Sequence, residues 1–170
     1  MMNYIKKLKG NKAKLPPKAN AIEVAFAFIG AFIAISVVAY LTNSYENIFI
    51  MGSFGATCVL LFGFSNSPFS QPRNIFFGHT ISTFMGLFFF HFVGDYWWSL
   101  ALALALAIAV MLLTRTVHPP AGSNPVIVFI MGSSWNFLFF PTALGAIIII
   151  LIGVFYNNLH KKRVYPNYWI

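Results

Sequence analysis

A chain of 170 residues that is 59% hydrophobic and only 8% charged, with 20 Phe, carries more apolar surface than a soluble domain of this length can bury, so lipid is the implied solvent. Mean hydropathy is +0.76. The net charge of +8 argues against nucleic acid, because nine of the eleven basic residues cluster at the two ends beside apolar segments, the pattern of cytoplasmic flanks and anionic headgroups.

Residues 1–20, with Lys6, Lys7, Lys9, Lys12, Lys14, Lys18 and Pro16-Pro17, read as a basic cytoplasmic arm. The apolar stretch that follows is long enough to span, unlike the short core of a secretory signal. Six apolar segments follow one another at roughly 21–42, 48–64, 74–93, 96–114, 119–133 and 139–157, measured against about 20 residues per crossing. The second and fifth are short and interrupted, the second by Gly52, Gly55 and Gly63, the fifth by Pro119, Pro120, Gly122, Pro125 and Gly132. Leu and Ala alternate at 100–107, but one strand-like segment cannot close a barrel, so the class is an all-α polytopic membrane protein. Residues 158–170 form a second basic cytoplasmic tail.

With six crossings and a cytoplasmic N-terminus, Arg73, Arg115 and the Lys161-Lys162-Arg163 cluster all fall inside, while Glu46 and Asp95 fall outside. Both termini are then cytoplasmic, in what reads as a bacterial inner membrane. The order long, short, long occurs twice, in repeat one at about 21–93 and repeat two at about 96–157. Leu61-Phe62-Gly63 precedes Pro72 by the same nine residues that separate Ile130-Met131-Gly132 from Pro141. Three crossings per unit would invert the second copy, and inverted halves with matching broken segments point to a midplane site.

The most informative stretch runs from Thr114 to Pro125. Pro119, Pro120 and Pro125 each remove a backbone donor, so no unbroken helix passes here, and irregular backbone at membrane depth survives only where protein buries it or it lines a cavity. Asn124 before Pro125 suits a helix start, so a half-helix over about 125–132 is expected, with Thr57 capping a counterpart that ends near Phe64. Two half-helix N-termini facing one spot would favour a small anion, with Gly55, Thr57, His118, Pro119, Pro120, Gly122, Ser123 and Asn124 lining it. The competing explanation is that these residues only let helices pack closely. His79 and His91, twelve residues apart, are too far apart for joint metal ligation and read as packed or interfacial side chains.

The run Arg115 to Pro125 around His118-Pro119-Pro120, the Ser67-Pro68 and Gln71-Pro72-Arg73-Asn74 loop, Gly78-His79, and Tyr156-Asn157-Asn158 together resemble the HPP family of integral membrane proteins. The resemblance covers nearly the whole chain from about residue 20. Plant chloroplast and cyanobacterial members are described as nitrite transporters, which implies nitrite as the first candidate substrate. The family is usually described with four transmembrane segments, against the six counted above. The family loop also implies an inner vestibule of Gln71, Arg73, Asn74 and Arg115.

Enzyme chemistry finds little support, since Glu23, Glu46 and Asp95 are the only acids and each lies near a segment end. The lone Cys58 excludes an intramolecular disulfide and a cysteine metal cage, and no phosphate-cradling loop is present; neither a cofactor nor a metal is expected. The expected partners are the bilayer, a small anion and, for so small a bundle, further copies of the chain. A membrane-embedded assembly or sensor subunit without transport is the alternative function.

Overall fold

The computed structural model describes residues 2–10, 13–45 and 50–170. Every regular element among them is helical. Helix α1 is Met2–Leu8, α2 Ala21–Tyr45, α3 Gly52–Gly63 and α4 Pro72–Phe88, which continues through a wider turn to Val93. Helix α5 is Trp97–Leu113, α6 Asn124–Met131 and α7 Leu144–Asn157, the last preceded by short turns from Trp135. Three helical stretches, Ala21–Ser44, Pro72–Val93 and Trp135–Asn157, are long and apolar enough to cross a membrane. Glu46, expected on the outer side, lies outside the described residues.

The helix ends follow local chemistry. Asn20 Oδ1 accepts from the Glu23 amide at 2.9 Å and Glu23 Oε2 accepts from the Asn20 amide at 3.1 Å, a reciprocal cap that occupies one of the three acids of the chain. Helices α5 and α6 end alike: Thr116 N donates to Met111 O, Ser133 N to Val128 O, and the residue before each donor is left-handed. At Gly132 (φ 59°) that conformation is free of strain, whereas Arg115 (φ 56°) adopts it with a full side chain.

Hydrogen bonds between elements sort the bundle into two ends. One end gathers the C-termini of α3, α5 and α7 with the start of α4: Arg73 donates to Thr114 O, Asn157 to Leu61 O and Tyr156 to Phe26 O. The other gathers the end of α4 with the end of α6, where His91 Nε2 lies 2.9 Å from Ser133 O, and the start of α5, where Ser99 donates to Phe89 O. Helix α4 is the central mast. Thr83, eleven residues above Pro72 and hence about 16 Å along it, marks its middle.

Two half-length helices run in opposite directions, α6 packed along this mast and α3 packed chiefly on α2. Helix α3 descends from the level of Thr83 to the first end, because Met51 is linked to Thr83 through Thr142 and Leu61 meets Asn157. Helix α6 starts at the same level, Asn124 donating to Thr83 Oγ1, and rises to His91. The expected counterpart to α6 therefore exists, but it begins at Gly52 rather than at Thr57. Met51 is the extended residue before it, and Thr57 sits inside the helix. The expected cap at Asn124 is also corrected. Ser123 holds the cap position and Asn124 is the first helical residue, because Pro125 takes the second position and the preceding 3-10 turn runs straight into the helix.

The fully buried apolar side chains include Phe54, Leu61 and Phe62 of α3, Ile75 of α4 and Ile149 of α7. Close helix approach depends on glycine at Gly78 and Gly86. A Cβ on Gly78 would lie 2.6 Å from His118 Cβ, and one on Gly86 would lie 2.8 Å from Pro125 Cα. These two contacts press the broken segment onto the mast.

Candidate functional site

A line of hydrogen-bonded polar side chains runs through this apolar bundle. Thr57 Oγ1 is 2.9 Å from His79 Nε2 and 2.9 Å from His118 Nε2. His118 Nδ1 lies 2.7 Å from the Phe69 carbonyl. On the other side Asn124 Nδ2 is 3.1 Å from His79 Nδ1 and donates to Thr83 Oγ1 at 2.9 Å. Thr83 and Thr142 exchange a bond at 3.2 Å, and Thr142 reaches Met51 Sδ at 3.8 Å. Thr57, His79, Thr83, His118, Asn124 and Thr142 have no exposed surface at all.

Each element supplies its residue for a local reason. His118 precedes Pro119 and is extended (φ −136°, ψ 98°), which turns its ring out of the chain direction toward α3 and α4. The following 3-10 turn is pinned to the mast where Ser82 Oγ donates to Ala121 O at 2.7 Å. The His79 and His118 rings stand edge to face at 4.9 Å, and Phe54 packs edge to face on His79 at 5.1 Å.

Among the described residues, two buried atoms of this region have no partner: Asn124 Oδ1 and, in the first turn of α3, Ser53 Oγ. A buried polar atom left unpaired costs about 1–3 kcal/mol, so each asks for a reason.

Of the residues expected to line the site, Thr57, His118 and Asn124 come together, joined through His79. Pro120 is buried in the turn between His118 and Asn124, Gly122 is half-buried, and Pro119 and Ser123 face outward. Ser123 Oγ donates back to Pro120 O at 3.0 Å. Gly55 does not join them. It lies on the exposed side of α3, along the groove toward Ala27, Ala31 and Ile35 of α2.

The expected vestibule residues are engaged differently. Gln71 is fully buried and donates to Ser65 O and Ser67 O, both at 2.9 Å, while accepting from Asn167 N, so it braces a loop. Arg73 caps α5, Asn74 donates to Val117 O at 2.9 Å, and Arg115 is exposed. The open cleft at this end, of about 840 Å³, is lined instead by Glu23, Ser65, Ser67, His160, Lys162 and Arg163 among others. Burial lowers the Arg163 guanidinium from its usual range, opposed by Glu23, and Arg163 donates to Phe62 O and to Asn157 Oδ1, both at 2.8 Å.

His79 was read from sequence as a packed or interfacial side chain, and it is fully buried; Thr83, Thr142 and Ser53, which share its network or lie beside it, were not singled out. A usable signal existed on α4, where Asn74, Gly78, Ser82 and Gly86 recur every four residues, with His79 and Thr83 beside them: one polar and small face on an otherwise apolar helix.

The family model described as HPP, transmembrane region, matches residues 16–166. The chain belongs to this family. Two transmembrane proteins of Dictyostelium discoideum are similar to it. One is 35% identical over 99% of this chain and 58% of its own length, the other 33% identical over 99% of this chain and 64% of its own length. The chain thus spans about three-fifths of these curated relatives. No solved structure matches it. An HPP-family chain is an integral membrane protein, and its name-giving tripeptide is here the His118-Pro119-Pro120 that delivers the imidazole to Thr57.

Proposed function

We propose that this HPP-family protein carries a small anion across the bilayer, with nitrite the first candidate, through the junction where α3 and α6 begin. The carrying observation is the buried column of Thr57, His79, His118, Asn124, Thr83 and Thr142 inside a lipid-soluble bundle. Polar and ionisable groups at that depth are expensive and are kept where solutes or protons pass. The unpaired Ser53 Oγ and Asn124 Oδ1 lie at the starts of the two opposed half-helices, where the protonated form of a small anion, with one O–H donor and further acceptors, would satisfy both. The basic cleft at the tail end gives an anion an electrostatic approach. We read the six helical segments as six crossings in two three-segment repeats, with both termini cytoplasmic.

Full burial of the column also suits the second reading, a structural network in a subunit that assembles or senses without transport. Uptake by liposomes containing the purified chain separates the two. Protein-dependent entry of nitrite, formate or nitrate above that of protein-free vesicles is expected; protein-free vesicles are essential because protonated nitrite crosses lipid unaided. Entry of potassium or ammonium in preference to every anion tested refutes the anion reading, and no uptake at all favours the non-transporting subunit.

A further inference from the structure

Proton counting fixes the donor directions in the buried column. The Phe69 carbonyl can only accept, so His118 Nδ1 carries a hydrogen. Neither ring has a carboxylate among its hydrogen-bond partners among the described residues, and both are fully buried, so both are neutral. His118 Nε2 is then a lone pair, and the Thr57 hydroxyl donates to it. Thr57 has one proton, shared between His118 Nε2 and the Ser53 carbonyl 3.0 Å away, so the bond to His79 runs the other way, with His79 Nε2–H as donor. His79 Nδ1 is the remaining lone pair, and the Asn124 amide donates to it. From Asn124 to Phe69 every bond points the same way.

We propose that Asn124, His79, Thr57 and His118 form a one-proton relay whose direction is set by the contact between His118 and the loop that carries Phe69. A proton taken at His79 Nδ1 from a hydronium ion or a protonated acid at the junction displaces the Nε2 proton onto Thr57 Oγ1. The original Thr57 proton passes to His118 Nε2, and His118 releases its Nδ1 proton to water on the loop side. One proton enters, one leaves, and only N–H and O–H bonds change.

The reversed chain has two structural requirements. His79 Nδ1–H needs an acceptor, which the Asn124 amide supplies by turning over to present Oδ1, giving up the bonds that its Nδ2 donates to the His79 carbonyl at 3.2 Å and to Thr83 Oγ1. His118 Nδ1 becomes a lone pair and cannot stay against a carbonyl, so the loop must withdraw. That loop is strapped by the C-terminal tail. Tyr165 OH donates to Ser70 O at 2.6 Å, and Tyr168 OH lies 3.1 Å from both Pro68 O and Asn74 Oδ1. The relay adds proton coupling to the transport proposed above and rests on that reading for its purpose, but its direction is measurable without any flux.

The test is nitrogen-15 NMR of the full chain, labelled at histidine, in lipid nanodiscs, with His91→Gln and His160→Gln leaving only the two rings. The expected pattern is His118 protonated on Nδ1 and His79 on Nε2. In Tyr165→Phe with Tyr168→Phe the loop is freed, and both rings switch to the opposite tautomers by equal fractions. Thr57→Ser keeps that joint switch, and Thr57→Val makes the two rings independent. His118 found on Nε2 or His79 on Nδ1 in the strapped protein overturns the relay. So does a loop-freed protein whose rings do not switch, or switch by unequal fractions with Thr57 present. If Thr57→Val does not fold, the tyrosine and Thr57→Ser variants still decide. Correct tautomers in a protein that moves none of nitrite, formate and nitrate would refute the transport reading and leave the relay standing.

Discussion

Gly78→Ala is the sharpest single test of the idea that the broken segment must be pressed against α4. The new methyl would sit 2.6 Å from His118 Cβ and 3.2 Å from Thr116 O, backbone-anchored atoms that cannot swing aside. Carbon contacts relax near 3.5–4.0 Å, so the segment has to retreat by roughly 1 Å. His118 is bonded on both sides at 2.9 and 2.7 Å, and stretching either bond by about that amount takes it beyond hydrogen-bonding range. Overpacking of this kind costs about 1–3 kcal/mol, and each bond lost about 1 kcal/mol more, giving a destabilisation of about 2–5 kcal/mol. Denaturant unfolding of the purified protein in detergent, followed by tryptophan fluorescence, measures it, and nitrite uptake should fall with it. Gly55→Ala is the control. Its Cβ meets nothing within 4 Å, and replacing a helical glycine there should be neutral or stabilising by about 0.5–1 kcal/mol, with uptake retained. A Gly78→Ala protein as stable and as active as the parent would show that the contact with His118 has no consequence.

Arg115→Gly removes a charge while easing a left-handed residue, so stability should hold or rise by up to about 1 kcal/mol, and any fall in anion uptake then reads the charge alone. Single cysteines at Asn66 and Asp95, both exposed, placed in a Cys58→Ala background, should react with an impermeant thiol reagent from opposite sides of the membrane, Asp95→Cys from outside; labelling of both from one side refutes the alternating ends. Burial raises the Tyr165 hydroxyl above its usual range, so its folded form holds its proton more tightly than the unfolded chain. That contribution is complete below a pH of about 10 and is lost as pH rises beyond it. Tyr165→Phe should lose about 0.5–1.5 kcal/mol at neutral pH and show a weaker alkaline decline than the parent in the same unfolding assay.

What could be read without coordinates was whatever proline, glycine and charge write locally. Pro119, Pro120 and Pro125 each delete a donor, so the break in the fifth segment was visible at once. The start of α3 was not. Thr57 has the chemistry of a cap, but capping depends on the backbone angles of the residue, and the extended residue is Met51. Asn124 misled in a related way, because its amide had a better use against His79 and Thr83, 45 and 41 residues away. Gln71 looked like a lining residue because nothing near it in sequence shows that Asn167 comes back to meet it. Contacts of that span are set by packing, and a single chain of letters records only the four-residue rhythm of the α4 face.

The electrostatics of the junction also bear on how an anion could pass. The column has hydroxyls, an amide and two neutral rings, and no fixed cation. The prolines have removed donors from the start of α6, and the preceding turn consumes others, as where Ala121 N bonds to His118 O and Asn124 N to Ala121 O. The helix N-terminus alone is therefore a weaker anion site than its dipole suggests. A lone charge at the bilayer centre costs at least about 2.5–3.5 kcal/mol. The readiest way to offset it is to bring a proton, either on the substrate or on His79 or His118, so that the pair crosses uncharged. An anion carrier built on this junction should therefore move anion and proton together, accelerating as the outside becomes more acid, and a rate indifferent to the proton gradient at fixed voltage would refute that coupling.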